Sequence, residues 1–431
     1  MKNILILGAG ESGIGSALLA KEKNWNVLVF DNNVIAPSYR NELVAHDITF
    51  VERSYQDSIF NVSLVVKSPG IARNAPIVQE IKKTGIPIIG EIEFASRYTD
   101  AKLIGITGSN GKSTVTKLTH HLLSQFGMNI GIAGNIGKSF ARSILEKSRE
   151  YFVLELSNFQ LQDMYECKLD IACLLNITPD HMDAYNYKMQ PYICDKFRIL
   201  QNMTHNDYFI YNQGDENIAK YLHSYVNLPK LCPIAEQEVF QIKRTLPETL
   251  IGYHNAFNAT VAMKVAQLLK APKRSIEIAL STFKPLEHRI ELVAQINGVS
   301  FYNDSKATNV ESVYNAINSF DSPIIWIAGG KDKGNDYSLL KPLVKSKVMA
   351  MICIGKDNGA LKSNFKDSIP LIYETQCMND VVEKALTWAH SGYVVLLSPA
   401  CASFDLFKNF EHRGDEFKKS VNTKALSLLS L

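Results

Sequence analysis

The sequence lacks the features of several large classes of protein. Its seven cysteines are scattered and form no CxxC pair, so a disulfide framework is not indicated, and reduced cysteines are typical of a cytoplasmic protein. No apolar run approaches the ~20 residues that a membrane-spanning helix needs. Lysine and arginine number 46 against 43 acidic residues, a formal net charge of +3. This charge is too small to indicate nucleic acid or an anionic membrane as the main partner.

The chain has the pattern of a multidomain α/β protein. Its 431 residues, at ~150 residues per domain, indicate about three domains. Short apolar runs alternate with helical patterns such as 14–23 and 113–126, which predicts parallel sheets covered on both faces. The first run, NILIL, is short and ends in glycines, so it predicts a strand and not a signal-peptide core. The predicted strands are 3–7, 27–30, 64–66, 102–106, 151–155, 170–177, 208–211, 299–302, 324–328, 348–354 and 393–397.

The strongest local signal is the segment TGSNGKST at 107–114, between a predicted strand and a predicted helix. Glycines let backbone N–H groups curl toward phosphate oxygens, and the helix N-terminus favours the same anion. Lys112 supplies a mobile cation, and the Ser113 hydroxyl can ligate Mg²⁺. The strict Walker pattern would place glycine at 106, where the chain has Ile106. A glycine-rich turn with a surface lysine is the alternative. The predicted phosphate-binding residues are Gly108, Ser109, Asn110, Gly111, Lys112, Ser113 and Thr114.

A second glycine motif, GAGESG at 8–13, also follows a strand and precedes a helix, and Asp31 ends the next strand. This is the dinucleotide fingerprint, and it leaves open which nucleotide binds. A turn that serves only helix–strand packing is the alternative. A nicotinamide-dependent oxidoreductase would use this motif, but nothing else in the chain resembles an apparatus for hydride transfer, so ATP chemistry is favoured.

Polar residues at predicted strand tips and on helices supply further candidates. Glu155 and His181 follow strands of the phosphate-loop domain and could hold metal ions, or could be surface residues. Lys196 has the pattern of an ordinary solvated helix lysine. Asn255 and Asn258 share one helix face, where they could contact a nucleotide, or Asn255 could cap the helix.

The last third of the chain places polar clusters at predicted strand–loop junctions. In open α/β sheets, ligands gather at the carboxyl ends of strands, and lysines and hydroxyls there suit a small dicarboxylate. Polar turn-forming loops are the alternative for each cluster taken alone. The clusters are 288–289, 304–309, 329–334, 398–405 and 413–415.

Taken together, these segments resemble the Mur ligase family over nearly the whole chain. The resemblance implies three α/β domains: a Rossmann-like domain at 1–91 for a UDP-linked substrate, a P-loop-type ATP-binding domain at 92–285, and a Rossmann-like amino-acid-binding domain at 286–431. It implies addition of D-glutamate to UDP-N-acetylmuramoyl-L-alanine through an acyl phosphate, in peptidoglycan synthesis. The matching segments are TGSNGKST, the Glu155 segment, DHMD, YHNAFN, HR, DSKATN, GGKDKG and SPACASFDLFKNFEHRGDEF.

The resemblance also implies individual roles, in a cytoplasmic monomer that uses small-molecule substrates and neither nucleic acid nor membrane insertion. Catalytic roles are implied for Lys112, His181, Lys196 and Lys306. Mg²⁺ is implied to bind Ser113, Glu155, His181 and Lys196, the lysine as a carbamate. ATP is implied to meet, besides 108–114, the residues Asn255, Asn258, Arg289 and Asp304. The UDP-substrate is implied to meet Ser12, Asp31, Gly70 and Asn135, and D-glutamate to meet Thr308, Lys333, Ser403 and Phe410.

Three departures and three alternatives stay open at this point. Asn32 and Asn33 follow Asp31, where some relatives offer a hydroxyl and an arginine for the uridine phosphates, and Glu11 adds an acid to the turn that would face the pyrophosphate. A folylpolyglutamate-type or other Mur-family ligase would share most of the motifs. A nicotinamide-dependent oxidoreductase and a non-catalytic nucleotide-binding regulator are the remaining alternatives.

Overall fold

The structure, a computed structural model, describes residues 2–225, 228–247, 250–284 and 286–429. Within these ranges the strands form three sheets, of five, six and six strands. The chain divides into two compact units, Met1–Glu238 with Asn258–Thr282 and Val239–Phe257 with Phe283–Leu431. The first two sheets lie in the first unit and the third sheet lies in the second. None of the helices in the described ranges is long and apolar enough to cross a membrane.

The first sheet is parallel and has the strand order β3-β2-β1-β4-β5. Its strands are β1 (Asn3–Leu7), β2 (Asn26–Asp31), β3 (Thr49–Glu52), β4 (Leu64–Lys67) and β5 (Ile88–Gly90). The helices between and after them are α1 (Glu11–Glu22), α2 (Pro37–Ala45), α3 (Pro76–Thr84) and α4 (Glu91–Ser96), with a 3₁₀ turn at Asp57–Phe60.

The second sheet is also parallel, in the order β11-β10-β9-β6-β8-β7. Its strands are β6 (Lys102–Thr107), β7 (Ile130–Gly134), β8 (Tyr151–Glu155), β9 (Ile171–Leu174), β10 (Tyr208–Asn212) and β11 (Lys230–Ile234). The helices of this part of the chain are α5 (Lys112–Gln125), α6 (Phe140–Glu146), α7 (Asn158–Gln162), α8 (Met189–Phe197), α9 (Glu216–Leu222), α10 (Glu236–Lys243), α11 (Tyr253–Leu268) and α12 (Lys273–Thr282), with 3₁₀ turns at Met182–Tyr185 and Arg198–Leu200.

The third sheet has the order β12-β13-β17-β14-β15-β16, and its first pair of strands is antiparallel. Its strands are β12 (Glu291–Ile296), β13 (Val299–Asn303), β14 (Ile324–Gly329), β15 (Val348–Ile354), β16 (Leu371–Thr375) and β17 (Val394–Ala400). Its helices are α13 (Val310–Asn318), α14 (Lys341–Lys347), α15 (Gly359–Phe365), α16 (Met378–Trp388) and α17 (Phe410–Leu429), with a 3₁₀ turn at Ser338–Leu340.

Alternate residues of the central strands belong to different hydrophobic cores. In β1, Ile4 and Ile6 pack into one core while Leu5 and Leu7 pack into another. Successive side chains of a strand point to opposite faces, so both faces of the sheet are buried. Strand β14 repeats the arrangement in the third sheet. The predicted α/β class, with parallel sheets covered on both faces, is confirmed.

Each predicted strand is present, but the strand predicted at 170–177 is too long. Strand β9 ends at Leu174, because the next residues leave the sheet and contact the glycine loop at 108–111. The domain boundaries at 91/92 and 285/286 stay predictions, and Pro285 lies outside the described residues.

Candidate functional site

The loop predicted to bind phosphate, called the phosphate loop below, spans 108–111 in the first unit, between the end of β6 and the start of α5. Gly111 has a φ of +88°, and a Cβ there would lie 2.6 Å from Asn258 Oδ1. A larger residue at this position would therefore be strained and would collide with the Asn258 amide. The loop folds as the sequence predicts, and it brings Asn258 to the N-terminus of α5.

Two side chains that the motif did not include brace this loop. The Asn176 carboxamide accepts a hydrogen bond from Asn110 N at 2.8 Å and donates one to Asn110 O at 3.1 Å. The Tyr192 hydroxyl lies 2.8 Å from Ser109 Oγ. Tyr192 is one helical turn before Lys196, so its i, i+4 spacing was a signal that could have been used.

Lys112 and Lys196 converge on one backbone oxygen. The Nζ atoms of Lys112 and Lys196 donate to Gly108 O at 2.7 and 3.0 Å. Lys112 also donates to Ser109 O at 2.7 Å. Lys196 is 1% exposed, which contradicts the solvated lysine that its sequence pattern indicates. Burial, and next the neighbouring Lys112 charge, lower the pKa of Lys196 well below its ordinary value.

A buried carboxylate ends β8 in the same unit. Glu155 is 2% exposed, and Asn135 Nδ2 donates to its Oε1 at 3.0 Å. Among the described residues nothing donates a hydrogen bond to its Oε2. A buried carboxylate oxygen without a donor is costly unless a cation or another donor binds there. Asn135, predicted to meet the UDP-substrate, thus orients a predicted metal ligand.

His181 follows the segment that braces the phosphate loop. Thr178 N donates to Ser109 Oγ at 2.9 Å, so the chain leaves the loop only three residues before His181. His181 has a φ of +54°, and its ring lies edge-on to Phe159, with centroids 5.6 Å apart. Its side chain is 48% exposed, so the imidazole is accessible to a ligand.

The first glycine motif forms a tight turn at the carboxyl end of β1. A Cβ on Gly13 would lie 1.8 Å from Gly8 O, so helix α1 can approach the turn only because position 13 is glycine. Asp31 Oδ2 accepts a hydrogen bond from Ala9 N at 2.8 Å. Ser12 is half-buried and Gly70 is exposed. Asp31 therefore stabilises the turn itself, whatever else it contacts.

Glu11 does not add an uncompensated acid to this turn. Its Oε1 accepts hydrogen bonds from Ser139 N at 3.0 Å and from Arg142 Nε at 2.9 Å. The other end of the Arg142 guanidinium binds Glu42. Arg142 is a residue that the sequence analysis missed, and no motif marks it. It compensates the Glu11 charge and ties α1 to α6.

In the second unit, polar residues gather at the carboxyl ends of β13, β17 and β14, which are neighbours in the sheet. Asp304 follows β13 and accepts hydrogen bonds from Ser398 Oγ at 2.9 Å and Ile290 N at 3.3 Å. Burial raises the pKa of Asp304 to about 7. Asn255 lies inside α11 and donates to Ile251 O at 2.8 Å, so its alternative role as a helix cap is wrong. Burial, and next the Arg289 charge, lower the pKa of His254 to about 4.

The residues predicted to bind the amino acid follow the same strand ends. The Nζ of Lys306 lies 4.7 Å from the centre of the Phe410 ring. Ser403 is buried at 2% exposure, whereas Thr308 and Lys333 are exposed. A buried serine, two lysines and an aromatic ring thus follow strand ends on one edge of the sheet, and the lysines and the hydroxyl are groups that suit a small dianion.

Fold and site together define a multidomain α/β nucleotide-binding protein. Comparison with known proteins makes this class specific. Residues 2–90 match the model of the Mur ligase MurD-like N-terminal domain, 106–266 the Mur ligase middle domain, and 288–401 the Mur ligase glutamate ligase domain.

Relatives match along nearly the whole chain. A UDP-N-acetylmuramoylalanine--D-glutamate ligase from Christiangramia forsetii is 44% identical and covers 97% of this chain and 99% of the relative. A ligase of the same name from Bacteroides thetaiotaomicron is 45% identical, with 98% and 99% covered. The chain belongs to the Mur ligase family, whose members are ATP-dependent.

Solved structures of the family share the fold at low sequence identity. MurF from Acinetobacter baumannii has a TM-score of 0.62 and 15% identity, covering 91% of this chain and 90% of that one. The UDP-N-acetylmuramate-alanine ligase MurC from Thermotoga maritima has a TM-score of 0.59 and 15% identity, covering 98% and 100%. At this identity the likeness supports the fold alone.

Proposed function

We propose that this chain joins D-glutamate to UDP-N-acetylmuramoyl-L-alanine with the hydrolysis of ATP, in peptidoglycan precursor synthesis. The observation that carries the proposal is the 44% identity, over 97% of this chain, to a ligase of that name. The phosphate loop with its two converging lysines fits the phosphoryl-transfer step. The exposed lysine and buried serine at the third sheet fit the dicarboxylate.

The reaction has two steps. The alanine carboxylate attacks the γ-phosphorus of ATP, the bond to the β-phosphate oxygen breaks, and ADP leaves. The D-glutamate amine then attacks the acyl carbon, loses a proton, and inorganic phosphate leaves as the amide forms. Loop amides and Lys112 hold the triphosphate, because phosphoryl transfer depends mainly on positioning and charge compensation. Lys306 lies at the strand end where the amino acid is proposed to bind.

Mg²⁺ fits the donors that the first unit offers. The Oε2 atom of Glu155 has no donor among the described residues, and a carboxylate oxygen together with the Ser113 hydroxyl is a hard oxygen set of the kind Mg²⁺ prefers. We assign Ser113 and Glu155 to one ion, and His181 and Lys196 to a second. When bound, Mg²⁺ would compensate charge on the phosphate oxygens.

Lys196 is proposed to act as a carbamate. A carbamate forms when a neutral amine adds to CO₂ and releases a proton, so a depressed amine pKa is a precondition. Burial and the nearby Lys112 lower the pKa of Lys196. The product is a carboxylate-like group, suited to an oxygen-seeking cation.

The remaining assignments follow the family resemblance and stay predictions. We propose a cytoplasmic monomer with domains at 1–91, 92–285 and 286–431. The proposed ATP contacts beyond the phosphate loop are Asn255, Asn258, Arg289 and Asp304. The proposed UDP-substrate contacts are Ser12, Asp31, Gly70 and Asn135, and the proposed D-glutamate contacts are Thr308, Lys333, Ser403 and Phe410.

The test is phosphate release from ATP with defined pairs of substrates. We expect release only when UDP-N-acetylmuramoyl-L-alanine and D-glutamate are both present, and ¹⁸O from the labelled alanine carboxylate should appear in the phosphate. Steady release with a folate and L-glutamate, but none with the muramoyl substrate, would transfer the assignment to a folylpolyglutamate-type ligase. Saturable NAD binding, with an activity that Lys112→Ala leaves intact, would indicate an oxidoreductase.

A further inference from the structure

Arg413 is a buried cation in the second unit that the reaction described above does not use. It lies in the first turn of α17 and is 1% exposed. Its Nε donates to Ser305 Oγ at 3.0 Å and its Nη2 to Ser305 O at 2.9 Å. Its Nη1 donates to Gly329 O at 3.2 Å and to Cys401 O at 3.1 Å. All four bonds go to neutral oxygens.

These oxygens lie at or just after the carboxyl ends of three strands, where three separate loops begin. Ser305 follows β13, Gly329 ends β14, and Cys401 follows β17. The three strands are neighbours in the order β13-β17-β14, so their loops leave the sheet at one edge. Arg413 is therefore a single side chain that holds three loops at a fixed separation.

The same loops carry the residues proposed to bind the amino acid. Lys306 and Thr308 lie in the first loop, Lys333 in the second and Ser403 in the third. Phe410 opens the helix that carries Arg413, and its carbonyl accepts a hydrogen bond from Ser305 Oγ at 2.8 Å. Every residue assigned to D-glutamate is thus within a few positions of an atom that Arg413 or Ser305 binds.

The geometry requires a guanidinium at this position. Arginine presents five N–H donors in a rigid planar fork, whereas a lysine ammonium is a compact point charge on a flexible stem. The space is also closed: a Cβ on Gly330 would lie 2.2 Å from Ala402 O and 3.1 Å from Arg413 Nη1. Burial lowers the pKa of Arg413 to about 10, so the group stays charged at neutral pH.

A buried charge whose bonds go to carbonyl and hydroxyl oxygens is an expensive way to hold loops together. Transfer of an ion out of water carries a large free-energy penalty, which a neutral or apolar contact would avoid. A rigid fork gives fixed distances in return, and a binding site needs its groups held to within about 0.5 Å.

We propose that Arg413 is a positioning residue that fixes the three loops around the incoming amino acid and so sets the affinity for D-glutamate. This inference rests on the proposed function. Arg413 itself does not touch the reacting atoms in this assignment. It acts through the main chain beside Lys306, Lys333 and Ser403.

The test compares Arg413→Lys and Arg413→Met with wild type in steady-state kinetics. Loss of hydrogen bonds from a charged group is expected to raise the KM for D-glutamate at least about tenfold, more for Met than for Lys. The KM values for ATP and the UDP-substrate should change less than about twofold. Positional isotope exchange within ATP reports on reversible phosphoryl transfer to the UDP-substrate. Measured without D-glutamate, it should continue at the wild-type rate, because this step does not involve the amino acid.

Lys347→Met is the matched control. Lys347 also donates to a carbonyl in the second unit, Phe320 O at 2.6 Å, but it touches none of the three loops. We expect a loss of thermal stability with no change in the KM for D-glutamate. An Arg413 variant that raises all three KM values alike, or that loses stability alone, overturns the positioning role. Wild-type protein that is inactive with D-glutamate overturns the proposed function, and the positioning role with it.

Discussion

Lys112 and Lys196 show how much one backbone oxygen can organise. Both Nζ atoms donate to Gly108 O, which places two amines within a few ångströms of the phosphate loop. Lys112 is the cation proposed to bind the triphosphate. Burial and the Lys112 charge lower the pKa of Lys196, which favours the neutral amine that the proposed carbamate requires.

The first prediction concerns Lys112→Ala. Removing a preorganised cation from the phosphate site should remove about 3 kcal/mol or more of transition-state stabilisation, measured as the loss in kcat. Lys117→Ala is the control, because Lys117 lies on the same helix and is exposed, and it should keep wild-type activity. A Lys112→Ala variant with half of the wild-type kcat or more would contradict the assigned role.

The second prediction concerns Lys196→Ala. We expect loss of activity and partial recovery when short carboxylic acids are added, because they can replace the carbamate oxygens. Wild-type protein freed of CO₂ should lose activity and regain it with bicarbonate, and ¹³CO₂ should label the protein at one lysine. Lys188→Ala, an exposed position just before the same helix, should show neither effect. Full activity of Lys196→Ala would remove this residue from the metal site.

Residue identities in the site were readable from sequence only where a motif fixes the backbone. The loop at 108–111 lies between a strand and a helix as predicted, because its glycines dictate the path of the chain there, and Lys112 begins that helix. The burial of Lys196 was not readable, since helix α8 gives its lysine no apolar signature. Arg413 stood in a recognised segment, but its three carbonyl partners are brought together only by strand order.

At the scale of elements, the central strands were predictable and the edge strands were not. Strands such as β1 and β15 are buried on both faces and read as continuous apolar runs. Strands β3, β5, β7, β11, β12 and β16, which went unpredicted, are the sheet edges. Edge strands are short or carry polar residues because one side lacks a partner; β11 contains a proline and β16 two polar residues. The hydrophobic pattern of the sequence therefore predicts the central strands of each sheet but not its edge strands.

The third prediction concerns helix α4 and its buried Glu91. Ala141 N donates to Glu91 Oε1 at 2.6 Å, and burial raises the pKa of Glu91 from 4.5 to about 7. Between these two pH values the folded protein keeps the Glu91 carboxyl protonated, whereas the unfolded chain releases the proton. The stability that the neutral carboxyl allows is complete below pH 4.5 and is lost as the pH rises through about 7. A difference of this size corresponds to roughly 3 kcal/mol.

Glu91→Gln should therefore be more stable than wild type at about pH 8 and similar to it below about pH 5, as measured by urea unfolding of the first unit. Glu93→Gln is the control on the same helix. Glu93 Oε2 accepts hydrogen bonds from the backbone N–H groups of Tyr165, Glu166 and Cys167 at 2.8–3.0 Å. Glu93→Gln should therefore be less stable than wild type at both pH values. A pH-independent difference between Glu91→Gln and wild type would refute the assignment.

At the scale of the whole molecule, the two compact units have hydrophobic cores of their own. The fourth prediction is that calorimetry without nucleotide resolves two unfolding transitions. Trp25 reports on the first unit and Trp326 on the second, so fluorescence of single-tryptophan variants assigns the transitions. One transition at every scan rate, seen alike by both tryptophans, would argue against two units.

A non-hydrolysable ATP analogue should raise the unfolding temperature of the first unit, because this unit carries the phosphate loop. At a hundred times its Kd, a ligand that binds the folded state adds about 2.7 kcal/mol. Adenosine, which lacks phosphates, should have a much smaller effect, and Lys112→Ala should reduce the effect of the analogue.

Arg413 grips its loops by carbonyl oxygens at Gly329 and Cys401, and a carbonyl is the same in every amino acid. Mutational drift at the tips of those loops therefore leaves the anchor unchanged. During evolution, the side chains that bind the amino acid could therefore be replaced one at a time while the backbone of the three loops keeps its position. Directed evolution toward a different amino acid should accordingly begin at positions such as 308, 333 and 403 and leave 413 unmutated.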